Sequence, residues 1–184
     1  VGGVGKVNAA MSAQLFIDRY HPDWIISAGV AGCFRDLPIG AMVLADSFIQ
    51  HDVDTTAVGD PIGFVSTVDR VEFPTSDVEA ISALLSSLGV EHLTGRVATG
   101  DAFISGGSRA DWVAETFSPV LCEMEGGAAA QVCLRNGVKF TALKSVSDRL
   151  CQENNAEEYF NYPQAMEKLN SIVLPFAKAL AGLN

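Results

Sequence analysis

Short apolar runs with the look of buried strands recur along this chain, and stretches with helical spacing separate them. Trp24, Ile25 and Ile26 open one run over residues 23–28, which ends in the small-residue turn Ala28-Gly29-Val30-Ala31-Gly32. Residues 41–48, 91–98, 119–123 and 139–147 read as further strands. Helices are expected over residues 7–20, 76–88 behind a Thr75/Ser76 cap, near 109–116, over 126–136, and over 162–183 with a kink or break at Pro175. A strand that alternates with a helix must bury both faces, which predicts a three-layer α/β/α domain around a central mixed sheet. With 184 residues, of which 48% are apolar, residues 1–184 are expected to form one domain with one sizeable core.

Charge and composition narrow the partners. A formal net charge of −10 argues against a nucleic-acid binder, which needs clustered Lys and Arg, and disfavours an anionic membrane surface. No stretch reaches the roughly 18 apolar residues needed to span a bilayer, and the glycine-rich start does not resemble a signal peptide. Cys33, Cys122, Cys133 and Cys151 show no C-x-x-C spacing, and only His21, His51 and His92 could join them as soft ligands. The reading is therefore no metal, no cofactor, buried thiols and a reducing cytoplasm.

Neither a nucleophile elbow, a Walker loop nor a zincin motif is present, and Gly2-Gly3-Val4-Gly5-Lys6 has the wrong spacing for a phosphate loop. The chemistry concentrates at predicted strand ends. In Glu123-Met124-Glu125-Gly126 two carboxylates end a buried strand just before a helix, where they must find partners. A carboxylate there can accept both hydroxyls of a cis-diol, or simply complement a helix dipole. Asp148, after Ser147 at the end of another strand, is either an acid in the same crevice or a helix N-cap. Phe103 and Ile104 follow a third strand end, so one crevice can hold an aromatic ring, acids and a hydroxyl.

Six segments carry a resemblance: Gly3-Val4-Gly5-Lys6-Val7, Ala28-Gly29-Val30-Ala31-Gly32, His51-Asp52-Val53-Asp54-Thr55, Gly100-Asp101-Ala102-Phe103-Ile104, Glu123-Met124-Glu125-Gly126 and Ser147-Asp148. In order and spacing they resemble the 5'-methylthioadenosine/S-adenosylhomocysteine nucleosidase family of the nucleoside phosphorylase superfamily. The resemblance implies a nucleoside phosphorylase-like fold and hydrolysis of the N-glycosidic bond of a purine ribonucleoside, releasing adenine, in cytoplasmic methionine salvage. It implies that Phe103 stacks on the purine and Ile104 reads the base edge through its backbone. Glu123, Met124 and Glu125 would form the ribose end, with Glu125 on the 2'- and 3'-hydroxyls. Asp148, positioned by Ser147, would protonate N7 of the leaving base, and Gly32 would lie against the ligand. The loop from His51 to Thr56 is expected to reach a neighbouring subunit in a homodimer.

Departures from the family pattern carry expectations of their own. The family's first strand, with the glutamate that activates the attacking water, would precede Val1, so the domain reads as N-terminally incomplete. Lys144 stands where the family shows arginine, and Val30 where it shows a hydroxyl residue. A purine nucleoside phosphorylase, another nucleosidase such as a futalosine-type enzyme, and a catalytically impaired nucleoside-binding relic are the alternatives.

Overall fold

The computed structural model describes residues 2–150 and 161–183. Strands β1 (Trp24–Cys33), β2 (Met42–Gln50), β3 (Glu72–Pro74), β4 (His92–Thr99), β5 (Leu121–Glu123) and β6 (Lys139–Arg149) form a mixed sheet in the order β3-β2-β4-β5-β1-β6. The expected α/β class with a mixed central sheet is present. The sheet curls until β2 also pairs antiparallel with β6, Met42 lying opposite Ser145, so among the described strands only β3 is left outside the closed run.

Helices α1 (Lys6–Tyr20), α2 (Val78–Ser87), α3 (Gly107–Phe117), α4 (Gly126–Asn136) and α5 (Tyr162–Leu180) surround the sheet. Alternation along β2 sorts them into layers. Val43 and Ala45 join Ala13 and Ile17 of α1 and Ala129, Ala130 and Cys133 of α4, whereas Met42 and Leu44 join Ile81 and Leu85 of α2 and Leu169, Phe176 and Leu180 of α5. A strand covered on both faces is buried at nearly every position, as β2 is. Phe176 has no exposed surface, and truncating such a side chain to alanine costs about 3–5 kcal/mol.

Several elements differ from the sequence expectation for physical reasons. β1 runs on through Ala28-Gly29-Val30-Ala31-Gly32, which read as a turn. Those small residues keep the strand and leave room above it, since a Cβ on Gly29 would lie 3.6 Å from Lys144 Nζ. α2 begins at Val78 without a side-chain cap, because Thr75 Oγ1 donates to Ala45 O at 2.7 Å and Ser76 Oγ accepts the Phe140 N–H at 3.1 Å. Both hydroxyls tie the chain to the sheet instead. β3 lacks any apolar run and was not anticipated; Phe73 alone is buried, and Pro74 is tolerated at the sheet edge. α5 continues through Pro175 without a break. In α1 the buried face is Ala9, Ala13 and Ile17, so the larger Met11, Leu15, Phe16 and Tyr20 are exposed.

Candidate active site

Parallel pairing of β4 with β5 sets Thr99 beside Glu123, so two strand carboxyl ends deliver the 100–104 and 123–125 segments to one place. β1 arrives from the opposite direction, with Gly32 opposite Cys122 on β5 and opposite Asp148 on β6. Between Ala31 and Gly32 the register with β6 shifts by one residue, a bulge that re-aims Ser147 and Asp148. Crevices at strand carboxyl ends are where open α/β sheets bind ligands.

All eight residues singled out from the sequence, Gly32, Phe103, Ile104, Glu123, Met124, Glu125, Ser147 and Asp148, line one pocket of about 170 Å³ there. Val30, Ala31, Ala102, Cys122 and Tyr162 complete it. Val30, Ala31 and Ala102 belong to the segments that carry the resemblance and Cys122 precedes one, but Tyr162, at the start of α5, had no sequence signal because nothing local links it to the strand ends. A wider depression of about 370 Å³ between Ile39-Gly40 and one side of α5 shares no residue with this pocket and gathers no buried acids. Among the described residues no cluster of His, Cys, Asp or Glu could hold a metal ion.

The three pocket carboxylates have different surroundings. Glu123 is buried and its oxygens are taken up by protein: Lys144 Nζ at 2.8 Å, the Gly126 N–H at 2.8 and 2.9 Å, the Glu125 N–H at 3.2 Å and the Thr99 hydroxyl. Burial pushes its carboxyl up, but the Lys144 ammonium and these hydrogen bonds outweigh burial and hold it below the usual carboxylate range. Glu123 thus also plays the helix-terminus role weighed from the sequence, at the first turn of α4. Lys144 is equally enclosed and reaches Ser27 Oγ at 3.2 Å.

Glu125 is the half-buried N-cap residue of α4, and its Oε1 accepts the Gly5 N–H at 2.8 Å. Burial raises its carboxyl, opposed by that hydrogen bond and assisted by the nearby Glu123 charge. Asp148 is only 3% exposed and lies within β6, so it is a pocket acid and not a helix N-cap. Ser147 Oγ donates to its Oδ1 at 2.6 Å, and burial nevertheless raises the carboxyl above its ordinary value. Gly32 makes this approach possible, since a Cβ there would stand 2.9 Å from Asp148 Oδ2. Ile104 is buried, whereas Phe103 is 57% exposed at the pocket rim.

The chain as a whole is similar to known proteins. The Phosphorylase superfamily pattern matches residues 1–178. A 5'-methylthioadenosine/S-adenosylhomocysteine nucleosidase of Geobacillus thermodenitrificans is 40% identical over 158 residues, covering 83% of this chain and 66% of that protein. That of Shewanella halifaxensis is 41% identical over 150 residues, covering 79% and 65%. The chain belongs to the 5'-methylthioadenosine/S-adenosylhomocysteine nucleosidase family, within the phosphorylase superfamily. Its fold is the nucleoside phosphorylase-like fold: the Campylobacter jejuni nucleosidase superposes with a TM-score of 0.88 at 29% identity, covering 99% of this chain and 79% of that one. A futalosine hydrolase of Helicobacter pylori superposes at 0.86 with 27% identity, covering 98% and 78%. The chain spans about two thirds of the length of the curated nucleosidases it matches. Lys144, which departs from the arginine expected from the resemblance, is held by Glu123 Oε2 at 2.8 Å and Ser27 Oγ at 3.2 Å.

Proposed function

We propose that this chain binds 5'-methylthioadenosine or S-adenosylhomocysteine and releases adenine by cleaving the N-glycosidic bond. The supporting observation is that Glu125 and Asp148 face one pocket with Phe103 at its rim. Cleavage leaves negative charge on the purine and cationic character on the ribose, so an acid at one end and a carboxylate at the other both lower the barrier. Asp148 retains its proton to higher pH because of burial and delivers it to N7 of the base. The Ser147 O–H then stays on Oδ1 and stabilises the carboxylate that is left. Glu125 accepts the ribose diol, with Oε1 already steadied by Gly5 and Oε2 available to the hydroxyls. Glu123, whose oxygens are engaged, fixes the turn that places Met124 and Glu125 against the sugar. Phe103 stacks on the purine, Ile104 lines the base end and Gly32 admits the ligand beside Asp148.

Water suits the pocket better than phosphate as the acceptor. Among the described lining residues there is no Arg or Lys, which an anionic co-substrate needs. We also propose that the chain works as a homodimer. Val4, Val7, Met11 and Leu15 form one outward stripe from the start of α1, each at least 54% exposed, and a second copy is the partner that would cover it. No helix among the described residues is long and apolar enough to cross a membrane. We propose, separately, a cytoplasmic role in methionine salvage.

The test is release of the free purine base, adenine from 5'-methylthioadenosine and S-adenosylhomocysteine and hypoxanthine from futalosine, with and without inorganic phosphate. Phosphate-independent release from the first two is expected, and a phosphate requirement would replace hydrolysis by phosphorolysis. Binding without any release would make the chain a nucleoside-binding protein. Glu125→Gln should weaken a ribonucleoside far more than free adenine in calorimetry, because only the former offers a diol.

A further inference from the structure

Outside the pocket, a chain of short polar contacts joins its two ends. The Gly5 N–H holds Glu125 Oε1 at 2.8 Å, and the next residue, Lys6, gives its own N–H to Asp101 Oδ1 at 2.7 Å. Lys6 Nζ reaches Asp52 Oδ1 at 2.6 Å and Gln50 Oε1 at 3.3 Å. The other oxygen of Asp52, Oδ2, accepts the Asp101 N–H at 2.8 Å. Asp101 stands two residues before Phe103. The first turn of α1 thus has no side-chain cap of its own, and its unsatisfied N–H groups are met by carboxylates from the ribose end and from the base-end loop. None of Lys6, Asp52 or Asp101 lines the pocket.

The backbone is built for this approach. Gly5 sits at φ 92°, where a side chain is strained, and a Cβ on it would meet Asp101 Oδ1 at 2.9 Å. The Lys6 and Asp52 side chains are 17% and 19% exposed, so their pair is less screened than a surface salt bridge. Burial pushes the Asp52 carboxyl up, but hydrogen bonds from Lys6 and from the Asp101 N–H outweigh it, and the group is held ionised.

We propose that Lys6 and Asp52 are positioning residues, a clasp that fixes the spacing between Glu125 and the loop bearing Phe103 and Ile104. The proposal rests on the nucleoside reading of the pocket, with ribose at Glu125 and base at Phe103. A ligand that touches only one end lets its loop shift with it. A ligand that spans both ends feels the spacing, because loosening either loop costs the second contact its pre-organisation.

The experiment measures affinity for 5'-methylthioadenosine and for free adenine by calorimetry on wild type, Lys6→Met, Asp52→Asn, the double variant and Lys6→Arg, beside their melting temperatures. Loss of a charge-assisted contact implies a fall of about tenfold for 5'-methylthioadenosine in each single variant. Free adenine should change by less than about threefold, the double variant should be no worse than either single one, and Lys6→Arg should recover most of the affinity. Equal losses for both ligands, parallel to the melting temperature, would mean a merely structural pair and overturn the clasp. So would unchanged affinity in folded variants. Wild type that binds neither ligand would instead overturn the nucleoside reading of the pocket.

Discussion

Replacing Lys144 by Met removes the only counter-charge, among the described residues, of a carboxylate buried at the pocket. The two side chains are 3% and 2% exposed and 2.8 Å apart, so neither has water to fall back on. In Lys144→Met, Glu123 keeps the Thr99 hydroxyl and the Gly126 N–H but carries an uncompensated charge. Breaking a buried pair from one side costs about 3–5 kcal/mol, which for a chain of this size lowers the melting temperature by on the order of 10 °C. Glu123→Gln strands the ammonium instead, with Ser27 Oγ at 3.2 Å as its remaining partner, and should cost a similar amount. The double variant Lys144→Met/Glu123→Gln buries no charge and should be well short of the sum of the singles, a coupling of roughly 2 kcal/mol or more. Urea denaturation of the four proteins at pH 7 measures this. The pH dependence has a definite sign. In wild type the carboxyl is held below its ordinary value, so its contribution is complete above the unfolded value of about 4.3 and is lost as pH falls through the folded one. In Lys144→Met burial prevails and raises the folded value, so that variant should gain stability relative to wild type as pH drops from 7 towards 5. A cost below about 1 kcal/mol for Lys144→Met, or singles that add within about 0.5 kcal/mol, would refute the reasoning.

Gly32→Ala drives a methyl to 2.9 Å from Asp148 Oδ2 and 3.0 Å from Leu150, and should cost about 1–3 kcal/mol while displacing the acid; adenine release should fall more than nucleoside affinity. Asp148→Asn should remove most turnover, on the order of 10²–10⁴-fold, with affinity nearly retained. Because burial raises the Asp148 carboxyl, the native acid costs stability once pH passes its folded value, so the Asn variant should melt no lower than wild type at pH 8, and this advantage should shrink towards pH 4. Leu15→Lys, at a position 59% exposed, should leave the melting temperature of the monomer unchanged and shift sedimentation from dimer to monomer; an unaltered dimer would place the interface elsewhere.

The sequence carried the site further than it carried the strands that build it. α4 begins and ends where its small residues and the Asn136-Gly137 stop place it, because that stretch combines a strict helical surface with an αL glycine. β1 was cut short at Ala28 since glycine and alanine read locally as a turn; only the lysine and acid of β6 lying across them explain why a strand needs so little side chain there. Asp148 kept a helix-cap alternative because a polar Ser-Asp after an apolar run is ambiguous until the strand is seen to continue through it. The outward apolar stripe of α1 shows the same limit, since periodicity marks a helix but not which face meets the sheet. Lys144 stood out only as a departure from a pattern; that it neutralises Glu123 depends on two residues 21 apart, on β5 and β6, meeting across β1.

The three acids of the pocket illustrate how one residue type is given separate duties. Glu123 lies beside an ammonium and at a helix N-terminus, so it is charged and already saturated, and it has little capacity left for a ligand. Asp148 has no cation among its described partners and only one hydroxyl, so burial raises its carboxyl above the ordinary value. Glu125 lies between these extremes, raised by burial and by Glu123 but drawn down by the Gly5 and Met124 N–H groups and the Lys144 charge. Environments that push carboxyl pKa values apart are what assign acid and acceptor roles within one cleft. On the proposed function, the Lys144 pair therefore bears on the reaction without touching the substrate. It keeps the charge on Glu123 paired, where a proton on that carboxyl would remove one of the acceptors that hold the Gly126 N–H and fix the turn bearing Glu125. A Lys144 variant should accordingly lose ribose recognition before it loses the proton-donating ability of Asp148.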